Sequence, residues 1–252
     1  MGFLTDMLEK AAGLNCQASN FLKVYSSLSD AATLGLLEEH VISNPLTAMI
    51  QTANRFLLKS FSDSFRQIPP HTRHMEHALT TGALLAIRCG HCANEMLKPG
   101  ETLVHDLVYP PKQIKQHPRM PKPTFSQILK ASVERQDQTR GWCDRCKRYQ
   151  QLSTRKSIQT IPKVMMINAA IHSLDQKQFW GTPGWLPREI GIIVTGGQFY
   201  CYEGQDLKLH LQRGVYDIAV YELVGLVADI NSGENQKSHL VSLINGQSFS
   251  PV

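Results

Sequence analysis

Two Cys-x-x-Cys motifs constrain this chain more than any other feature of its sequence. The first is Cys89-Gly90-His91-Cys92, and the second, well separated from it, is Cys143-Asp144-Arg145-Cys146. Each motif can present two thiolates to one metal ion at about 2.3 Å, and four thiolates complete the tetrahedral coordination of Zn²⁺. We therefore predict a structural zinc site whose ligands are Cys89, Cys92, Cys143 and Cys146. A four-sulfur site has no open coordination position, so it predicts an architectural role and no reaction.

Two other interpretations of the motifs remain. Cys-Gly-His-Cys is also the sequence of a disulfide-isomerase active site, which requires a thioredoxin-like βαβ context. Here the apolar run Ala83 to Ile87 precedes the motif, and a strand-like stretch, Thr102 to Tyr109, follows without room for a helix. Disulfides would require an oxidising compartment, and residues 1–6 lack the charged start and apolar core of a secretory signal. Reduced, zinc-binding thiols are the better hypothesis, with His91 or His105 as an alternative to one sulfur.

Length and charge narrow the function classes. A chain of 252 residues can bury a substantial core, and no apolar run reaches the roughly 20 residues that span a bilayer, so no membrane partner is expected. The net charge of +5 is uneven: from Lys112 to Lys156 there are twelve Lys or Arg against three Asp or Glu, a local +9 that leaves −4 for the remainder. Such a stretch invites a nucleic-acid interpretation, although a solvated, lysine-rich surface is the simpler explanation.

Hydrophobic spacing predicts helices in the first part of the chain. Apolar residues recur at helical intervals through the first eighty residues. Asn44-Pro45 predicts a helix start, with Pro at the first helical position, and this helix is expected to run to about Phe61. Between the cysteine motifs, the Pro-rich segment from Pro110 to Pro123 predicts a loop. Thr124-Phe125-Ser126-Gln127 then has the spacing of a capping box and predicts a short helix that reaches Val133.

The later part of the chain is β-rich from Tyr149 onward. Four apolar segments separated by Gly and Asn predict strands: Lys163–Asn168, Ile190–Val194, Val215–Ile230 and Ser238–Ile244. Helices first and strands later predict an α+β fold. Trp142, beside the second cysteine motif, is expected to pack over the metal site.

This order of elements resembles the ubiquitin-specific protease fold, a papain-like cysteine protease fold. The resemblance lies in a helical region, the first cysteine pair, the helix that begins at Thr124, the Trp142-Cys143 motif and the segment Ile161 to Asn168. It implies a helical thumb in residues 1–80, zinc-bearing fingers in 81–160 and an antiparallel β palm in 161–252, all within one domain. The Gly-Asn-Thr-Cys-Tyr-like box that precedes the thumb is missing, so an N-terminally truncated domain is expected.

Several segments are similar, more specifically, to the ubiquitin-protease-like domains of poly(A)-nuclease catalytic subunits. They are Gly2–Leu8, Cys16–Leu22, Ala32–Leu36, Phe179-Trp180 and Tyr221–Ala228. The resemblance implies a scaffold that contacts the regulatory subunit of the nuclease complex and contacts poly(A) RNA only indirectly or weakly. It also implies work in poly(A) tail shortening in the cytoplasm, with P-bodies as a compatible location. The exonuclease of this family lies in a separate domain, and no Asp-x-Glu pair occurs here, so no activity is expected for this chain alone.

Protease chemistry is not expected either. His239 occupies the place of the protease histidine, as a relict, and Asn245 is the one Asn or Asp after it. Cys16 lacks the Gly-Asn-Thr element that would position backbone donors, and Cys201, between Tyr200 and Tyr202, is expected to be a small buried residue. Two alternatives remain: an active cysteine-type deubiquitinase that uses Cys16, and a zinc-finger nucleic-acid-binding module. Ubiquitin binding stays open, because an inactive protease fold can keep its substrate surface.

Overall fold

The structure is a computed structural model, which describes residues 45–66, 76–110, 122–214, 217–230 and 239–244. The chain forms two compact units, one of Met1–Arg73 with Leu223–Val252 and one of His74–Glu222. Within the described ranges, no helix combines the length and the apolar character needed to cross a bilayer. The expected helices before residue 44, residues 111–121 of the Pro-rich loop and the end of the chain lie outside these ranges.

The first unit contains one described helix and one hairpin. Helix α1 spans Pro45–Arg66 and thus begins at the predicted proline, but it continues beyond the expected end near Phe61. The antiparallel pair has Gly225 opposite Ile244 and Ile230 opposite His239. Its two strands are the last that the structure describes, and we number them β10 (Gly225–Ile230) and β11 (His239–Ile244).

The second unit begins with the short helix α2 (Glu76–Leu79) and contains an antiparallel four-stranded sheet. In chain order its strands are β1 (Thr81–Cys89), β2 (Glu95–Thr102), β4 (Asp137–Cys143) and β5 (Arg148–Thr160). In space they lie in the order β2-β1-β5-β4, so the long β5 separates β1 from β4. This order places both cysteine motifs at the same end of the sheet.

The rest of the second unit packs around a three-stranded antiparallel sheet. Its strands, in the order β8-β7-β9, are β7 (Glu189–Thr195), β8 (Gln198–Glu203) and β9 (Ala219–Glu222). The helices are α3 (Phe125–Val133), α4 (Leu174–Trp180) and α5 (Gly204–Arg213). Two further strands, β3 (Val104–Asp106) and β6 (Met166–Asn168), pair in parallel. The predicted palm is therefore not wholly antiparallel, because β6 pairs with a strand from before the long connection.

The core of the second unit is rich in aromatic rings. Phe125, Ile128 and Leu129 of α3 are at most 4% exposed and face Ile192 and Phe199 of the three-stranded sheet. The two rings of Phe125 and Trp185 meet edge to face with centroids 5.5 Å apart, a favoured aromatic geometry. Burial of these apolar groups is the main force that holds α3 on the sheet.

Polar groups at the edge of this core are paired. Trp180 Nε1 donates to Tyr109 Oη at 2.6 Å, and the Tyr109 hydroxyl donates to the Ala169 carbonyl at 2.7 Å. Glu134 accepts from the backbone N–H of Phe199 at 2.9 Å, and the Lys130 ammonium donates to the Phe199 carbonyl at 2.7 Å. Such satisfied pairs remove the penalty of leaving these groups without partners.

The capping box is confirmed: the Thr124 side chain accepts from Gln127 N and the Gln127 side chain accepts from Thr124 N. Other predictions were incomplete or wrong. The expected strand at Lys163 begins only at Met166, and the apolar run from Val215 splits into β9 and β10. Helices α4 and α5 interrupt the region predicted as strands, so helices and strands alternate there.

Candidate functional site

The two cysteine motifs form turns of the same geometry. In the first, the Ala93 N–H donates to the Cys89 carbonyl at 3.0 Å; in the second, the Lys147 N–H donates to the Cys143 carbonyl at 2.8 Å. Ala93 and Lys147 both have positive φ, 54° and 51°, which folds the chain sharply after each second cysteine. Each turn therefore directs its two sulfurs to the same side.

Strand β5 brings the two turns together. Cys89 pairs with Leu152 on one side of β5, and Cys143 pairs with Arg148 on the other. The Gly90 N–H also donates to the Gln151 carbonyl at 2.8 Å and thereby attaches the first turn to β5. The pair of β1 and β5 contains a cysteine of the first motif only, and the pair of β5 and β4 contains one of the second motif only. The two motifs therefore meet because β5 pairs with both β1 and β4.

The four sulfurs form a compact cluster. All lie within 4.8 Å of one another, and the Sγ–Sγ distances are 3.9 Å for Cys89 and Cys146 and 3.6 Å for Cys92 and Cys143. A tetrahedron with metal–sulfur bonds of about 2.3 Å has edges of about 3.8 Å, whereas a disulfide requires about 2.05 Å. The cysteines are free thiols, and their arrangement suits one tetrahedral metal ion, with Cys89 and Cys143 buried.

Two thiols of the cluster have pKa values shifted in opposite directions. The backbone N–H of Cys92 is the main cause that lowers the pKa of the Cys89 thiol to about 6. By contrast, the neighbouring sulfurs, Cys92 first, raise the pKa of Cys146 to about 12. The Cys89 thiolate thus forms readily, whereas the neighbouring sulfurs oppose ionisation of Cys146. A metal cation bound by the four sulfurs would offset this repulsion.

The two histidines considered as substitutes for sulfur have other environments. His91 lies beside the cluster, with Nδ1 3.6 Å from Cys146 Sγ and Nε2 3.1 Å from the Arg148 guanidinium. His105 is buried elsewhere and shares a 2.8 Å hydrogen bond with Thr81 Oγ1. The structure therefore assembles four cysteines, and His91 is an outer neighbour of one of them.

The cavity beside His105 was not predicted from the sequence. His105 lies on a cavity of about 300 Å³, which is also lined by Thr81, Asp106, Ser132, Asp137 and Lys156. Burial, and next the charge of Lys156, lower the pKa of His105 to about 4. The ring is neutral at physiological pH. These residues come from β1, β3, α3, β4 and β5, so no local motif could have revealed the cavity.

The residues considered for protease chemistry are only partly described. Cys16 and Asn245 lie outside the described residues, and for His239 the structure gives its backbone place, the first residue of β11. Cys201 lies on β8, packs partly buried against the core, and burial raises its pKa to about 12. A thiol with a raised pKa is a poor nucleophile at neutral pH, as expected for this cysteine.

Trp142 differs from its expected role over the metal site. It is 51% exposed, and strand alternation places its side chain on the sheet face opposite to that of its neighbour Cys143. Its ring meets Tyr149 edge to face, with centroids 5.7 Å apart. The register of β4 and β5, in which these residues are direct partners, decides this contact.

Comparison with known proteins supports one family. Residues 1–250 match the family model described as ubiquitin carboxyl-terminal hydrolase. The PAN2-PAN3 deadenylation complex catalytic subunit PAN2 of Phaeosphaeria nodorum is 63% identical over 248 residues, which cover 97% of this chain and 22% of that protein. The pan2 subunit of Aspergillus niger is 51% identical over 245 residues, covering 97% of this chain and 21% of the relative. The chain thus spans about a fifth of these relatives' length.

Solved structures agree with the fold. The Neurospora crassa Pan2 catalytic unit (protease and nuclease domain) matches with a TM-score of 0.70 and 37% identity, over 91% of this chain and 39% of that chain. The Saccharomyces cerevisiae PAN2 pseudoubiquitin-hydrolase matches with a TM-score of 0.58 and 16% identity, over 84% of this chain and 53% of that one, and supports the fold alone. The recognised resemblance and the mixed α/β ubiquitin-protease-like fold are thereby confirmed. By sequence and by fold, the chain belongs to the ubiquitin carboxyl-terminal hydrolase family.

Proposed function

We propose that this chain is a non-catalytic, ubiquitin-protease-like scaffold domain of a poly(A)-specific 3′-5′ exoribonuclease subunit that acts in mRNA poly(A) tail shortening. The observation that carries the proposal is the 63% identity to a PAN2 catalytic subunit over 97% of this chain. The matched part is 22% of that relative. We therefore assign RNA hydrolysis to other parts of the longer protein and a structural role to this part.

The chain's own residues support a role without catalysis. Exonuclease chemistry of this kind uses clustered carboxylates that bind two metal ions, and the sequence contains no Asp-x-Glu pair. Cys201, with its raised pKa, offers no activated thiolate. His239 is proposed as a relict of the protease histidine.

We further propose that the four-cysteine cluster holds a structural zinc ion, with Cys89, Cys92, Cys143 and Cys146 as ligands. Thiolate-only, tetrahedral coordination is typical of structural zinc, and the Sγ–Sγ distances of 3.6 and 3.9 Å fit that geometry. The ion would join the ends of β1 and β4 across β5. In the protease-fold division, residues 1–80 are the thumb, 81–160 the zinc-bearing fingers and 161–252 the palm.

The proposed partner is the regulatory subunit of the poly(A)-nuclease complex, and the proposed location is the cytoplasm, with P-bodies as a compatible site. Poly(A) RNA is a weak or indirect partner in this proposal. The support is that the relatives are catalytic subunits of the PAN2-PAN3 deadenylation complex.

Size-exclusion chromatography with a purified PAN3-type regulatory subunit, together with an assay on a 20-nucleotide poly(A) RNA, tests the scaffold role. We expect the chain and the subunit to elute together, and we expect the chain alone to leave the RNA intact. Shortening of the RNA by the chain alone would contradict the non-catalytic assignment. Separate elution would contradict the assigned partner.

Family membership favours one alternative, an active cysteine-type deubiquitinase. It predicts covalent labelling of Cys16 by a ubiquitin-derived electrophile, which Cys16→Ser would abolish; our proposal predicts no labelling of the folded chain. The further alternative is a zinc-finger nucleic-acid-binding module. It predicts RNA binding without any co-elution with the regulatory subunit.

A further inference from the structure

Two large aromatic rings are exposed side by side on the four-stranded sheet. Trp142 on β4 and Tyr149 on β5 are direct cross-strand partners, and their ring centroids lie 5.7 Å apart at an interplanar angle of 77°. Trp142 is 51% exposed and Tyr149 is 62% exposed, whereas Trp185 in the core is 8% exposed. The pair therefore presents apolar, π-rich surface that the packing of the described residues leaves exposed.

Three arginines share the face of this aromatic pair. Side chains two positions apart on a strand point to the same side, which places Arg140 beside Trp142 on β4 and Arg155 on the same side of β5 as Tyr149. Arg88 on β1 belongs to the same face. Its cross-strand partner is Ser153, which lies on this side of β5 between Tyr149 and Arg155. All three arginines are exposed. We name this surface the aromatic–arginine face: Arg88, Arg140, Trp142, Tyr149 and Arg155.

The face is cationic and its charges are available. Strand alternation places no carboxylate on this side of β1, of β4 or of β5 from Tyr149 to Ser157. Glu95, the cross-strand partner of Arg88, lies on β2. The three arginines of this face form no ion pair with another described residue. The basic side chains that do so are Lys59, Lys130, Arg135, Lys156 and Arg188. Asp137, which pairs with Lys156, lies on the opposite side of the sheet.

We propose that the aromatic–arginine face binds single-stranded RNA. Exposed rings offer stacking surfaces to unpaired bases, and guanidinium groups neutralise phosphates, which is the combination used by single-strand-binding proteins. Tyr149 and Arg155 lie three side-chain rows apart on β5, and at about 3.4 Å per residue this is roughly 20 Å, enough for a few nucleotides.

A protein partner would also use Trp, Tyr and Arg, but it would usually cover an apolar centre. On β5 the residues on this side between Tyr149 and Arg155 are polar, Gln151 and Ser153, and the apolar Ala86 and Leu97 lie beyond Arg155 on β1 and β2. The polar spacing and the unpaired arginines favour a polyanion. The biological setting of this binding rests on the proposed function, whereas the binding itself is a property of this chain.

Fluorescence anisotropy of a labelled 20-nucleotide poly(A) RNA with the zinc-loaded chain, at 50 and 200 mM KCl, tests the proposal. Trp142→Ala with Tyr149→Ala should weaken binding at least about tenfold at either salt concentration, because stacking is lost. Arg140→Ala with Arg155→Ala should weaken binding and reduce the slope of log affinity against log salt by about 1.4, the value for two phosphate contacts on a single strand. The Trp142→Phe, Tyr149→Phe variant should retain most of the affinity.

The matched control removes two exposed lysines away from this face, Lys98→Ala with Lys208→Ala. It should change affinity much less than the arginine pair, and a duplex RNA of equal length should bind more weakly than the single strand. Zinc content and thermal unfolding of each variant verify folding.

Undetectable binding at 50 mM KCl, equal losses in the lysine control, or full affinity in the aromatic variant would overturn the proposal. So would ubiquitin binding that depends on Trp142 and Tyr149 in a chain that does not bind RNA. None of these outcomes bears on co-elution with the regulatory subunit, so the two proposals fail separately.

Discussion

The Sγ atoms of Cys92 and Cys143 lie 3.6 Å apart, although 51 residues separate them in the chain. Their strands, β1 and β4, are not neighbours, because β5 runs between them. An ion held by both motifs therefore links the two turns at the end of three strands. Closing so long a loop costs conformational entropy, which the binding of the proposed metal ion would offset.

Loss of one cluster thiol should release the metal and destabilise the second unit. For Cys143→Ser we expect less than one zinc ion per chain and a free energy of unfolding lowered by several kcal/mol, because zinc-binding energy is folding energy in such sites. Elemental analysis and thermal unfolding measure the two effects. Cys201→Ala, which alters a cysteine outside the cluster, should keep full zinc content. A Cys143→Ser chain with one tightly bound zinc would refute the four-cysteine site.

Tyr109→Phe should lower the free energy of unfolding, because it removes the acceptor of the Trp180 hydrogen bond. The variant leaves Trp180 Nε1 without its acceptor at 2.6 Å and the Ala169 carbonyl without its donor. An unsatisfied buried polar group costs about 1–3 kcal/mol, and because both groups are half-buried, urea denaturation should give a loss near the lower end of this range. Tyr149→Phe removes an exposed hydroxyl and should change stability by less than about 0.5 kcal/mol. Equal effects of the two variants would contradict the prediction.

His105 should make stability fall in acid. Burial first, and the Lys156 charge second, lower its pKa from 6.5 to about 4, while Asp106 acts in the opposite direction. The unfolded chain therefore takes up a proton below about pH 6.5 that the folded chain refuses until about pH 4. The stabilisation is fully present above pH 6.5 and is lost as the pH falls through this window, by about 3 kcal/mol in total.

Denaturation of His105→Gln at pH 7 and pH 4.5 measures this effect. Relative to wild type, the variant should lose about 2–3 kcal/mol less between the two pH values. His172→Gln alters an exposed histidine and should follow wild type. Acid release of metal from the cysteines affects all three proteins alike, so their differences isolate His105. Parallel pH profiles for wild type and His105→Gln would refute the lowered pKa.

The Thr124 capping box should contribute measurably to the stability of α3. Thr124→Ala removes the acceptor of the Gln127 N–H and should lower the free energy of unfolding by about 1 kcal/mol. Thr124→Ser keeps a hydroxyl oxygen in the same place and should restore most of the loss. Urea denaturation of both variants checks this, and an unchanged Thr124→Ala protein would contradict the prediction.

Local chemistry explains which elements could be predicted. The start of α1 at Pro45, the capping box of α3 and strand β7 each depend on residues within one short segment. Prediction failed where packing overrode the local pattern. Leu207, Leu209 and Leu211 alternate as in a strand, yet they lie on helix α5, where Leu207 is 4% exposed and the other two are each 48% exposed. Gly214, with φ of 60°, ends that helix in the left-handed conformation that suits glycine.

Strand β2 shows the opposite case, a strand without a strand-like sequence. It contains Pro99 and Gly100, which normally argue against a strand interior, but β2 is an edge strand whose proline needs no partner on the open side. Such a segment becomes a strand because it pairs with its neighbour, here β1, and this pairing cannot be predicted from the segment's own sequence.

The sequence by itself determined the two cysteine turns and their chemistry, because the geometry of a Cys-x-x-Cys turn depends on a few adjacent residues. Only the tertiary structure decided that β5 lies between β1 and β4, and thus that the four sulfurs meet within 4.8 Å of one another. The same register decided that Trp142 and Tyr149 face solvent beside Arg88, Arg140 and Arg155. The reason is physical: in a sheet, a shift of one residue moves every side chain to the other face, and long-range pairing fixes that register.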